Sequence, residues 1–268
     1  METKKYLYLF LALIFAINCW GQSEFQSIEN DAKKGIAEAQ FKLADIYYSG
    51  EHLGLPNYKE AFDWYKKSAE QGLAEAQIKL ANMYHEGAGT AVNKEQVFYW
   101  YEKASQQGHS EAQYTLAYLY YNGIGTSADK TRAFDWYKKS AKQGCVEAQY
   151  NLATLYYDGD GTTIDKKQAL YWYKKSAEQG DAQGQYALAT LYHNGDGTEI
   201  DKELAFYWFK KLAEQDLPGF QYNLALLYYH GDGTVIDKKQ AALWMKKSYE
   251  NGYEDAKKAW DDLELSKY

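Results

Sequence analysis

Aspartates crowd the segment Asp158 to Asp165, DGDGTTID, and Asn194, Asp196 and Asp201 echo it downstream, so the first chemistry to weigh is calcium held by oxygen ligands. A helix-loop-helix calcium loop starting at Asp158 needs glycine at its sixth place and a bidentate glutamate at its twelfth. Thr163 and Ala169 stand there instead. A glycine turn followed by an N-cap aspartate accounts for the same residues. Of the five histidines, His85 and His193 occupy equivalent places in the repeat described below but lie three repeats apart, roughly 30 Å if helix pairs stack at about 10 Å. His230 stands two repeats from any Asp or Glu in its row, so no metal site is expected. Cys145 sits at a turn position where other copies carry Leu73, His109 or Asp181, which reads as tolerance rather than nucleophilic chemistry. No serine-hydrolase elbow, zincin helix or phosphate-cradling loop occurs, and the Gly-x-Gly turns follow helices, not strands. The sequence thus leads to no cofactor and no enzyme.

The residues that do recur are structural. Trp64, Trp100, Trp136, Trp172, Trp208 and Trp244 are spaced by 36 residues throughout. Leu43, Leu80, Leu116, Leu152, Leu188 and Leu224 form a second register, each followed by alanine. In the fourth copy, Ala148, Leu152, Leu155 and Tyr156 share one face of a first helix (helix A), which Gly159 ends. Asp165 with Gln168 three residues on predicts the N-cap of a second helix (helix B), burying Ala169, Trp172, Tyr173 and Ala177 while Lys174 and Lys175 face water. Asn57, Asn93 and Asp237 repeat the cap. Two helices cannot enclose this much aromatic surface alone, so each pair must stack on the next.

The segment AEAQIKLANMYHEGAGT followed by VFYWYEKASQQG resembles the Sel1-like repeat, a relative of the tetratricopeptide repeat, and the likeness extends over six copies, residues 37–252. It implies an all-α, right-handed α-solenoid of six helix pairs that binds other proteins. Residues 22–36 and 253–268 read as half-repeat capping helices. Repeat 6 departs from the pattern, beginning Leu217, Pro218, Gly219, Phe220 where other copies have variants of AEAQ. A secreted branch of the family carries β-lactamase assignments, but this chain lacks its paired cysteines; a cell-envelope enzyme and a glycan-binding module are the rival functions.

Residues 1–21 read as an export signal, with Lys4 and Lys5 ahead of an apolar run from Tyr6 to Ile17. Cleavage after Gly21 is expected to leave Gln22 first, and lipidation of Cys19 or an uncleaved anchor are the alternatives. Either the periplasm or the exterior is the expected destination. The formal charge of −7 becomes one unit more negative on cleavage, and no basic cluster offsets it, which excludes nucleic acid as a partner.

Helix A leaves one stripe that varies between copies, Glu147, Asn151, Thr154 and Asp158 in repeat 4. By the tetratricopeptide likeness helix A lines the concave side, so this stripe is the expected groove floor for a protein or peptide. Its less polar part comprises Tyr118, Asn151, Thr154, Thr190, Asn223 and Leu226.

Overall fold

A computed structural model describes residues 23–51 and 54–268; the proposed export signal lies outside them. Every regular element among the described residues is helical. The chain divides between Asp129 and Lys130 into two compact units. The first contains α1 (residues 23–33), α2 (Ala37–Ser49), α3 (Tyr58–Glu70), α4 (Ala74–Glu86), α5 (Lys94–Gln106) and α6 (Ser110–Asn122). The second contains α7 (Lys130–Lys142), α8 (Val146–Asp158), α9 (Lys166–Glu178), α10 (Ala182–Asn194), α11 (Lys202–Ala213), α12 (Pro218–His230), α13 (Lys238–Glu250), α14 (Glu254–Asp262) and a 3₁₀ turn (Leu265–Lys267). Even-numbered helices from α2 to α12 are the A helices, and odd-numbered ones from α3 to α13 are the B helices.

Local chemistry sets the helix limits. Gly159 takes φ 74° after α8, and its N–H donates to the Leu155 carbonyl. Asp165 accepts from the Gln168 N–H at 3.0 Å to start α9, and Asn57, Asn93 and Asp237 cap α3, α5 and α13 in the same way. Asp216 occupies the place held elsewhere by a left-handed glycine and adopts φ 60° itself, a conformation that costs a non-glycine residue energy but that aspartate visits more readily than most.

Within each unit the core is built from the recurring residues. Leu80, Leu116, Leu152, Leu188 and Leu224 are fully buried, with an alanine beside each. Helix B meets the next helix A through edge-to-face rings: Phe62 with Tyr84 and Phe98 with Tyr120 in the first unit, Phe134 with Tyr156 and Phe206 with Tyr228 in the second. Their centroids stand 5.1 to 5.2 Å apart, the geometry that the ring quadrupole favours.

Polar order accompanies the apolar packing. The buried Gln149 side chain donates to the Ala141 carbonyl of the preceding helix B at 3.2 Å and accepts from Gln179 of its own helix B at 2.8 Å. Gln77, Gln185 and Gln221 make the same two kinds of bond in their copies, Asn251 replacing glutamine as the last donor. Each buried amide therefore ties three helices together at the ends where helical carbonyls lack intrahelical partners.

The second glycine of every Gly-x-Gly turn rests on the first residue of an earlier helix B. A Cβ on Gly197 would stand 2.4 Å from the Lys166 carbonyl oxygen, and one on Gly89, Gly125, Gly161 or Gly233 would come closer still, 2.0 to 2.2 Å from the carbonyl oxygen of Tyr58, Lys94, Lys130 or Lys202. Gly180 differs: its φ is 91°, but a Cβ there would meet no atom within 4 Å. Gly197→Ala should consequently cost about 3 kcal/mol or more, strain plus overpacking, and Gly180→Ala about 1 kcal/mol from backbone strain alone. Urea unfolding of the two variants checks this; equal costs would contradict the close-approach account.

Candidate functional site

The A helices of the second unit leave two neighbouring hollows. The larger, about 440 Å³, is lined by Tyr150 and Tyr157 of α8, Tyr173 of α9, Ala182, Gln183, Tyr186, Ala187, Thr190 and Leu191 of α10, and Phe220 of α12. The smaller, about 270 Å³, lies between Tyr186, Thr190 and His193 of α10, Phe209 of α11, and Asn223, Leu226 and Leu227 of α12. Tyr186 and Thr190 belong to both, forming the ridge between them.

Of the six residues expected from sequence, Thr190, Asn223 and Leu226 come together around the smaller hollow. Tyr118 lies on α6 of the first unit, 47 % exposed. Asn151 is half-buried on α8 and lines neither hollow. Two expectations need correction. Thr154 is engaged within the protein, its hydroxyl 3.0 Å from the Tyr173 phenol and bonded to the Tyr150 carbonyl at 3.2 Å. Leu226 is half-buried against the core of α12 to α14 rather than openly presented.

A physical rule underlies the Thr154 correction. In three copies the tyrosine after the helix B tryptophan brings its hydroxyl to this row of helix A: Tyr173 to Thr154, Tyr65 donating to Asp45, and Tyr101 donating to Asn82 at 2.5 Å. Where that partner is Met245, the row holds Leu226; where it is Phe209, the Thr190 hydroxyl turns back to the Tyr186 carbonyl at 2.9 Å. Burial pushes the Tyr173 phenol up to about 12 and raises Tyr101 likewise, so these side chains stay neutral donors.

Two of the aspartates first weighed as calcium ligands, Asp160 and Asp196, tie repeats together, as does Asp232 in the next copy. Asp196 accepts from Lys166 at 2.5 Å and from the Tyr157 hydroxyl at 2.8 Å. Asp232 accepts from Lys202 at 2.8 Å and stands 3.0 Å from His193 Nε2. Asp160 pairs with Lys130 at 2.8 Å. In each case the lysine is the residue whose carbonyl supports the glycine that follows the aspartate. Cys145 occupies the N-cap place of α8, and burial pushes its thiol above the ordinary range, away from thiolate chemistry.

The Sel1 repeat pattern matches residues 37–73, 74–109, 110–145, 146–181, 182–217 and 218–253. The chain belongs to the Sel1 repeat family. A protective antigen of uropathogenic Escherichia coli strains, described as displaying an SLR fold, is 32 % identical with a TM-score of 0.81 over 87 % of this chain. This chain spans 50 % of that antigen's length. A Sel1 repeat protein from Oxalobacter formigenes is likewise 32 % identical, with a TM-score of 0.69, covering 75 % of this chain and 83 % of its own. No curated protein matches. Sel1 repeat proteins generally mediate protein–protein interaction and are generally non-enzymatic.

Lys166, seconded by Tyr157, holds the Asp196 carboxyl below the usual carboxylate range, and Lys202, with help from His193, does the same for Asp232. A depressed folded-state pKa contributes stability that is present above the unfolded value, near 4, and is lost as pH falls through the folded one. Asp232→Asn should melt below the parent protein at neutral pH, with the two melting curves converging under acid conditions. Melting temperatures recorded across that range test it, and a difference that widened on acidification would contradict the assignment.

Proposed function

We propose that this Sel1 repeat protein is an exported scaffold that binds a protein or peptide on its A-helix face, with the two hollows of the second unit as the anchoring sites. The observation that carries the reading is their position: two adjacent apolar recesses share a ridge on helices that bear neither lysine nor arginine, whereas the B helices carry the lysines. Concave, largely apolar recesses with a few placed polar groups are where binding energy concentrates. Gln183, Thr190 and Asn223 supply the polar groups that can meet a partner's backbone. Export rests on the charge and hydropathy of residues 1–21.

Thr190 lines both recesses, so Thr190→Arg places a bulky charge across the ridge. It should weaken capture of the native partner by the full chain about tenfold or more. Reversing Lys174 and Lys175 to glutamate on α9 should leave capture nearly unchanged. If the α9 changes were the damaging ones, the A-helix assignment would fail. For export, the intact mass of protein recovered outside the cytoplasm should correspond to a chain starting at Gln22 or at a lipidated Cys19. A mature species starting at Met1 would contradict a cleaved signal.

A further inference from the structure

The larger hollow is walled by five aromatic rings, those of Tyr150, Tyr157, Tyr173, Tyr186 and Phe220. Tyr150 and Tyr173 stand 5.6 Å apart with planes inclined at 54°, and Tyr186 and Phe220 5.5 Å apart at 47°. Neither pair is stacked parallel. An aromatic face attracts organic cations through its quadrupole. Tyr157 already does so within the protein: the Lys166 ammonium lies 5.0 Å from its ring centroid while paired with Asp196.

Two departures from the repeat create this hollow. The position of Ala187 is filled by Lys42, Lys79, Thr115, Asn151 and Asn223 in the other copies, all larger. The position of Phe220 is filled by alanine in repeats 1 to 4 and by Gly184 in repeat 5. A side chain has thus been removed from the floor and a ring added to the wall at one place in the array. In repeats 1 and 2 the floor position carries a lysine, so an ammonium at this place is compatible with the fold. Charge complementarity points the same way. Glu147 and Asp158 are the only residues with full charges on α8, α10 and α12. Lys166 is matched by Asp196, and both full charges on these three helices, confined to α8, are negative.

We propose that the hollow of Tyr150, Tyr157, Tyr173, Tyr186 and Phe220 binds an organic cation. Its source is either the ammonium or guanidinium end of a partner's lysine or arginine, or a free quaternary ammonium compound. The proposal rests on the A-helix face being the binding face and adds the chemistry recognised there. A volume of about 440 Å³ admits such a group together with its methylene or methyl carbons.

The test is a nuclear magnetic resonance titration of the full chain with choline, with the uncharged carbon analogue of choline, and with lysine and arginine capped at both ends. The cations should bind about tenfold more tightly than the uncharged analogue and shift resonances of Tyr157 and Tyr186. Choline outbinding the capped amino acids assigns a free quaternary ammonium ligand, and the reverse order assigns a partner side chain. Ala187→Lys, which copies repeats 1 and 2, should abolish binding with an unchanged melting temperature. Phe220→Ala, which copies repeats 1 to 4, should weaken it about tenfold and serves if the first variant folds poorly. Equal binding of the uncharged analogue, or no binding of any cation, would overturn the cation assignment while leaving the A-helix reading intact. Cation binding that survives both substitutions would place the site elsewhere and overturn its assignment to this hollow.

Discussion

Where Gly197 crosses the start of α9 there is no room for a side chain: a Cβ would lie 2.4 Å from the Lys166 carbonyl oxygen. This contact recurs at Gly89, Gly125, Gly161 and Gly233, each against the first residue of an earlier helix B. It fixes how closely one helix pair approaches the next, and other features follow from that distance. Alanines flank the buried leucines because larger residues would hold neighbouring helices apart. Buried glutamines reach a carbonyl of the preceding helix B and an amide of their own, which they could not do if the pairs were spaced differently. In the second unit the lysine whose carbonyl receives the glycine also pairs with the aspartate beside that glycine, so one point of approach holds backbone and charge together.

A scaffold this regular makes the irregular positions informative. The A-helix rows that face away from the core change from charged in the early repeats to neutral in the later ones, and two positions change in size. Ala187 opens the floor of the larger hollow, and Phe220 closes its wall. Function in such an array comes from what single copies do differently, since whatever all copies share serves the stacking. Tyr171 and Tyr207 of the B helices illustrate the contrast, exposed beside Trp172 and Trp208 and lining neither hollow.

Much of the fold was legible in the sequence because it is encoded locally and repeated. The tryptophan period, the Gly159 stop and the Asp165 cap each depend on residues within a few positions of one another. The glutamine ladder had an equally regular signal at Gln77, Gln113, Gln149 and Gln185, but its meaning depends on carbonyls of another helix and emerged only in three dimensions. The aspartates of the Gly-Asp-Gly turns were explicable as turn residues, and their pairing with Lys130, Lys166 and Lys202 is a long-range property. The candidate site was half legible. Variation alone picked out Thr190, Asn223 and Leu226, which share the lining of the smaller hollow, while the hydroxyl of Thr154 meets that of Tyr173 inside the protein. Tyr150, Tyr157 and Tyr186 were hidden among core-spaced tyrosines, since spacing does not tell a filled recess from an open one.

The central claim, that a partner occupies the A-helix face of the second unit, is tested most directly by hydroxyl-radical footprinting of the full chain with and without its bound partner. Tyrosines on the two faces act as internal reporters of comparable exposure, Tyr186 at 46 % on α10 against Tyr171 at 50 % and Tyr207 at 48 % on α9 and α11. The account predicts that the partner protects Tyr186, together with Tyr150 and Tyr157, and leaves Tyr171 and Tyr207 reacting as in the free protein. Protection of Tyr171 and Tyr207 with Tyr186 unchanged would contradict it.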